Sequence, residues 1–466
     1  MQYDHSTFIS PLTWRYGSDE MKRIFSEVHK RELLRRVWIA LAKAEMKAGL
    51  VTEEQVDELV LHKDDIDIER ASEIESVIHH DLMAEIKTYA EQCPKAGGII
   101  HLGATSMDAL DNADAVRYKE ALTLTLEHLD SVIKALAAKT EEYKETVTMA
   151  FTHIQPAEIT TIGYRLSQTL QDLLDDREDL VLMISRIKGK GMKGAVGTGA
   201  SYASLTEGTA ITSMELEKMV MDELGIVSFD AATQTYTRKQ DLRIIQVLSS
   251  VAATLHKFSQ DFRVLQSPPI GEFSEPFGRM QVGSSAMPFK RNPILSEKIC
   301  SLSRIVEESY STAWNNASVQ FLERTLDDSA DRRIFIPESF LALDEMLLTE
   351  KKVIEGMQVH KTATKRLLSA YAVFASTEKL LMELGKRGAD RQKMHEVIRE
   401  ESLRAWEYVQ EGKDNPLVDE LSTNEKILEY MTKDEILSSL DASSYTGDAV
   451  KRTELVLERA QKVLGC

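Results

Sequence analysis

An all-α fold built on very long helices is what this sequence predicts, and three observations carry the expectation. Only 10 prolines interrupt 466 residues rich in Leu, Ala, Glu and Lys, a composition that favours helix over sheet. Alternating apolar and polar runs, which a half-buried strand needs, are scarce. Five helical patterns, roughly 113 to 143, 157 to 187, 239 to 266, 294 to 320 and 332 to 357, each far exceed the ~11-residue average helix and point to an elongated bundle.

Taken in order, the run MKRIFSEVHKRELLRRVWIALAKAEMKAG sets Ile24, Val28, Trp38, Leu41 and Met46 on one helical face and stops at Gly49. Thr52-Glu53-Glu54-Gln55 follows with a capping-box pattern. A helix with the apolar stripe Ile74, Ile78, Leu82 and Ile86 comes next, and His80, ~200° around from Ile78, points away from that stripe. The long patterns then begin. Breaks near 111 and 363 divide the chain into an N-terminal helical domain (1–111), a central long-helix bundle (112–363) and a C-terminal helical domain (364–466). Helices so long and apolar bury faces against other subunits as well, so an oligomer is expected. Gly189-Lys190-Gly191-Met192-Lys193-Gly194 matches GxGxxG by letter but follows a helix, not a strand. It reads as a flexible connector, not a nucleotide-cofactor loop.

The formal net charge of -18 argues against a nucleic-acid or anionic-membrane binder, so any anionic ligand must be met locally. Cys93, Cys300 and Cys466 are widely spaced and odd in number, which suits reduced thiols in the cytoplasm. MQYDHSTFISPLTWRYGS contains no basic-then-apolar leader, and no uncharged apolar run approaches the ~20 residues of a membrane span.

Polar clusters separate the helices. GSSAMPFKRNP at 283–293 should be a loop that can move, since Gly283 loosens the backbone and Pro288 and Pro293 forbid a continuous helix. Asn292-Pro293 reads as the start of the following helix, with Asn292 as N-cap. Gly103-Ala104-Thr105-Ser106 offers hydroxyls and backbone N–H groups to a carboxylate, or caps the next helix. Phe151-Thr152-His153-Ile154-Gln155-Pro156 holds a histidine able to exchange protons near neutral pH, or merely bonded within its loop. His79-His80-Asp81 lacks the spacing of a metal site. The runs at 234–239 and 323–333 are mixed charges, either a site or a solvated, salt-bridged surface.

Together these clusters resemble one family. GSSAMPFKRNP is similar to the signature loop of the fumarase/aspartase superfamily, whose members cleave C–N or C–O bonds to release fumarate. WRYGSDEM, HHDLMA, IHLGATS, FTHIQPAEITTIG, QTYTRK, ERTLDDSADRR and the closing SSYTG resemble, in order and approximate spacing, its adenylosuccinate lyase branch. The resemblance implies a fumarase/aspartase-like fold, with a long central bundle flanked by two smaller helical domains, in a cytoplasmic homotetramer whose active sites are shared between subunits. It implies Ser284 as general base and His153 as general acid. By the same correspondence Lys290, Asn292, Thr105 and Ser106 bind the succinyl part, Gln234 holds the substrate near its reacting end, and Thr152 also contacts substrate. Arg15 and Tyr16 hold the phosphate, Arg324, Ser329 and Arg333 complete the nucleotide site, and His80 and Asp81 line the same pocket. Two positions depart from the family pattern: His79 and Lys298 stand where arginine is common, and each loses a bidentate fork.

The implied reaction is β-elimination of fumarate from an N-succinyl nucleotide. A proton leaves a carbon beside a carboxylate, and charge builds on that carboxylate, where cations and donors lower the barrier most. Serine is a weak base unless a positive field or relay assists it, so a loop that closes over a dry, electropositive site is the expected device. No metal, organic cofactor or nucleic-acid partner is implied. The alternatives are another fumarate-releasing lyase of argininosuccinate lyase type and a non-catalytic helical assembly protein of crystallin type.

Overall fold

The computed structural model describes residues 6–441 and 445–465; Cys466 and the two serines that open SSYTG lie outside the described residues. The chain is all-α. Among the described residues the only β-structure is three two-stranded pairs, and no helix is long and apolar enough to cross a membrane.

Five helices dominate: Ser106–Glu142, Ile162–Arg186, Lys239–Gln266, Ile294–Ser318 and Asp327–Gly356. The first starts earlier than its periodicity suggested. Thr105 N donates to Asp108 Oδ2 at 3.0 Å while Asp108 N donates to Thr105 O at 2.9 Å, which caps the helix about two turns ahead of the apolar pattern. The second starts later. Gln155–Thr161 is a strand, paired antiparallel with Val147–Thr152, because Ile159, Thr160 and Thr161 are β-branched and the partner strand lies just upstream.

Three other local expectations are corrected. The run from 21 to 49 is split at Ser26, whose Oγ accepts from His29 N at 3.1 Å and starts a new helix, Glu27–Lys47. The restart rephases the face, so Trp38 and Leu41 are buried while Val28 is 44% exposed. The stripe from Ile74 to Ile86 belongs to two helices, Ile68–Ile78 and Asp81–Gln92. His79 closes the first in the left-handed region (φ 54) and His80 caps the second, with Nδ1 accepting from Met83 N at 3.3 Å. The glycine-rich run at 189–194 is a wrapped and bonded turn in place of a flexible connector. Lys190, fully buried, pairs with Asp108 Oδ1 at 2.5 Å, Gly191 N donates to Asn112 Oδ1 at 3.0 Å, and Gly194 N donates to both Asp108 oxygens at 3.2 Å.

Two compact units result. One takes the chain up to Leu129 with Asp176–Ala253 and Ser301–Leu348. Its core includes Leu34, Trp38, Leu41 and Tyr89, with Arg35 buried over the Tyr89 ring at 4.3 Å and bonded to Glu85 Oε1 at 3.3 Å. The other takes Asp130–Asp175, Thr254–Cys300 and the chain from Thr349 onward. Part of its core packs Leu380, Leu384, Val397, Leu417, Leu421, Ile427 and Ile436.

Candidate active site

In the first unit a pocket of about 550 Å³ gathers eight of the residues singled out from sequence: His80, Asp81, Thr105, Ser106, Gln234, Arg324, Ser329 and Arg333. Local folding explains the convergence. Asp81, Ser106 and Ser329 each stand in the first turn of a helix, so three helix N-termini supply lining residues and their partial positive charge. Gln234 arrives on a loop fastened by its own N–H to Glu323 O at 3.1 Å.

Lys30, Arg117, Arg238 and Arg332 also line the pocket, beside Glu75, Asp114 and Asp328. Arg117 is paired with Asp114, Arg238 with Asp111 and Asp328, and Arg332 with Asp241, yet with Arg324 and Arg333 the lining carries six cations against four carboxylates. On a chain of net charge -18, this is a local excess of positive charge that favours an anion. Burial would raise the Asp81 carboxyl, but the Leu82 N–H and Arg333, at 2.8 Å, hold it below the usual carboxylate range. Asp114 behaves likewise, since Arg117 and Arg332 outweigh its burial. Arg332 donates from Nε to Asp241 Oδ2 at 2.7 Å and from Nη2 to Tyr236 Oη at 2.8 Å. Beside the pocket, His101 in the IHLGATS run accepts Trp38 Nε1–H at 3.1 Å on its Nδ1, and burial lowers its pKa.

Sequence reasoning missed Lys30 and Arg117, which lie within helices and carry no motif. Arg238, Asp328 and Arg332 stood inside quoted clusters without a role, and their burial was the missing signal. His79, noted as a departure, lines the pocket too. Arg15 and Tyr16 do not line it. They follow the Pro11–Trp14 helix, where the Arg15 guanidinium lies 5.7 Å from the Trp14 ring and 5.8 Å from the Tyr16 ring.

The second unit carries the remaining residues on two elements. Thr152 and His153 occupy an exposed hairpin tip, where His153 and Ile154 have φ 55 and 59. Two successive left-handed residues match the twist of a tight hairpin, although a β-branched residue is strained there. A cleft of about 770 Å³ runs beside this hairpin, lined by Phe151, Ile154, Tyr164, Lys257, Asp261 and Arg452 among others.

Ser284, Lys290 and Asn292 stand on the 283–293 loop. Ser284 Oγ accepts from Ala286 N at 3.3 Å and Met287 N at 3.1 Å, two donors that favour negative charge on that oxygen. Gly283 serves close approach more than looseness, since a Cβ there would lie 2.0 Å from Lys290 O. Asn292 does not cap the next helix. Its Nδ2 turns back toward Gly283 O at 3.5 Å, and the cap is Glu275, whose carboxylate accepts from Leu295 N at 3.1 Å, Ser296 N at 2.7 Å and Ser296 Oγ at 2.6 Å. Lys298 is one turn inside that helix.

Among solved structures, the chain is similar to a 3-carboxy-cis,cis-muconate lactonizing enzyme from Pseudomonas putida (TM-score 0.86, 23% identity, 97% of this chain and 98% of that one). It is also similar to a fumarate lyase from Mesorhizobium sp. BNC1 (TM-score 0.83, 21% identity, 95% and 98%). These likenesses show the all-α fumarase/aspartase fold. The family described as Lyase matches residues 17–306, and the one described as Adenylosuccinate lyase C-terminus matches residues 374–456. The adenylosuccinate lyase of Schizosaccharomyces pombe is 40% identical over 457 residues, 97% of this chain and 94% of that protein. That of Saccharomyces cerevisiae is 38% identical over 98% and 95%, and that of Pyrococcus abyssi 36% over 98% of both. With similarity of this extent to fungal and archaeal enzymes alike, and with both family matches in a single sequence, the chain belongs to the adenylosuccinate lyase family.

Proposed function

We propose that this chain catalyses β-elimination of fumarate from adenylosuccinate, giving AMP, and from SAICAR, giving AICAR, in purine nucleotide biosynthesis. The observation that carries this function is similarity to adenylosuccinate lyases along nearly the whole chain. The cation-rich pocket adds chemical support, because the substrate brings carboxylates and a phosphate.

Ser284 takes the proton from the carbon beside the carboxylate. The Ala286 and Met287 N–H groups on its Oγ support this role, since they stabilise the alkoxide a serine base must become. His153 protonates the departing nitrogen. Lys290, Asn292, Thr105, Ser106 and Thr152 bind the succinyl part, where charge develops in the transition state. Gln234 holds the substrate near the scissile bond. Arg324, Ser329 and Arg333 meet the nucleotide with Arg15 and Tyr16, and His80 and Asp81 complete the pocket wall. Phe289, 82% exposed on the 283–293 loop, and Met280, 91% exposed just ahead of it, support a loop that gains cover when it closes.

The same reading extends to a cytoplasmic homotetramer with shared active sites. Tyr310 and Trp314, 39% and 51% exposed on the Ile294–Ser318 helix, support burial against another copy. The test is incubation of the purified protein with adenylosuccinate and, separately, with argininosuccinate. AMP and fumarate from the first and no fumarate from the second are expected. The opposite pattern overturns the substrate assignment.

A further inference from the structure

The loops that bring Gln234 and Arg324 to the pocket are joined by a buried chain of charges. Arg238, 2% exposed, donates from Nε to Asp328 Oδ2 at 2.5 Å and from Nη1 to Asp111 Oδ1 at 3.0 Å, with its guanidinium 4.7 Å from the Tyr236 ring centroid. Asp328, 1% exposed, offers its other oxygen to Arg324 Nη1 at 2.6 Å. Asp111 also accepts from Tyr236 N at 2.8 Å. Arg238 therefore ties the helix that begins at Ser106, the Gln234 loop and the segment from Arg324 to Arg333.

A carboxylate between two guanidinium groups restrains both, because each charge-assisted bond is directional. Arginine on a pocket wall otherwise keeps most of its rotamer freedom and loses it on meeting a ligand. With one edge committed to Asp328, Arg324 keeps its other N–H groups for a ligand in a preset orientation. Burial would raise the Asp328 carboxyl, yet Arg238 and Arg324 hold it below the usual carboxylate range, so it stays charged in this role.

We infer that Asp328, itself held by Arg238, is a positioning residue for Arg324, presetting that guanidinium for the nucleotide part of the substrate without touching it. The inference rests on the pocket being the nucleotide site. It predicts a particular non-additivity. Asp328→Asn should raise KM for adenylosuccinate by about 10- to 100-fold with kcat within about threefold, as loss of binding shared by ground and transition states requires. Arg324→Ala should raise KM comparably, and Arg324→Ala/Asp328→Asn should stay within about twofold of Arg324→Ala alone, since nothing is left to position.

Melting curves accompany each variant. If Asp328→Asn does not fold, Asp328→Glu, which keeps the charge but displaces it, is carried through the same cycle and read the same way. Arg324→Ala with unchanged KM would overturn the nucleotide-site reading itself. Arg324→Ala raising KM while the Asp328 substitution leaves KM alone, lowers kcat instead, or multiplies the loss in the double variant would overturn the positioning role only.

Discussion

Glu45 offers a quantitative test of the packing in the first unit. It lies in the Glu27–Lys47 helix with 0% exposure, and neither carboxylate oxygen has a hydrogen-bond partner among the described residues. Burial pushes its pKa from 4.5 up to about 8. Between those values the folded chain keeps a proton that the unfolded chain has released, so the stability contributed by this group is full below about pH 4.5 and is lost as pH rises to about 8. At about 1.4 kcal/mol per pH unit, the whole interval is on the order of 5 kcal/mol, of which about 4 kcal/mol falls above pH 5. An unfolding entropy of roughly 2 cal/mol/K per residue makes ~1 kcal/mol worth about 1 °C in a chain of this size. Glu45→Gln replaces the carboxyl by a neutral group of the same shape. Its thermal midpoint minus that of the wild type, measured at equal concentration across pH 5 to 9, should climb by about 4 °C and then level off. The spare amide adds only a constant offset. A difference flat with pH would refute the reasoning, for it would mean that Glu45 ionises normally in the folded chain.

Three further outcomes are expected. His153→Ala should lose most turnover, with partial rescue by added imidazole in steady-state assays; full unaided activity would move the acid elsewhere, with His80 first to examine. Glu275→Ala removes the cap at Leu295 and Ser296, so the thermal midpoint should fall by an amount worth roughly 1–3 kcal/mol and limited proteolysis within 283–293 should quicken. Ser284→Ala and His153→Ala, each inactive alone, should regain a fraction of wild-type activity when dissociated and reassociated together, provided the two residues of one site come from different chains. Lack of recovery, with exchange verified by mass, would place both on one chain in every site.

The long helices were legible because their apolar periodicity runs for many turns, and the capping box at Thr52 and Gln55 because both its halves are local. Features that depend on a distant partner were hidden. Glu275 caps a helix that begins 19 residues later, beyond the reach of any local pattern, and Asn292-Pro293 looked like the cap in its place. The apolar stripe around His79 and His80 continues in phase across the break, so periodicity alone joins two helices. The 189–194 turn looked loose because glycines suggest freedom, whereas its amides converge on Asp108, 82 residues from Lys190. At the site, clusters with unusual order could be picked out, but Lys30 and Arg117 reach the pocket only through tertiary packing.

The most direct test of fumarate elimination with Ser284 as base is a single-turnover experiment with enzyme in excess over adenylosuccinate, comparing wild type with Ser284→Ala. Wild type should convert the bound substrate into equal amounts of AMP and fumarate, while Ser284→Ala should bind with little change in affinity and react several orders of magnitude more slowly. No fumarate from the wild type, or equal rates from both proteins, would contradict the assignment.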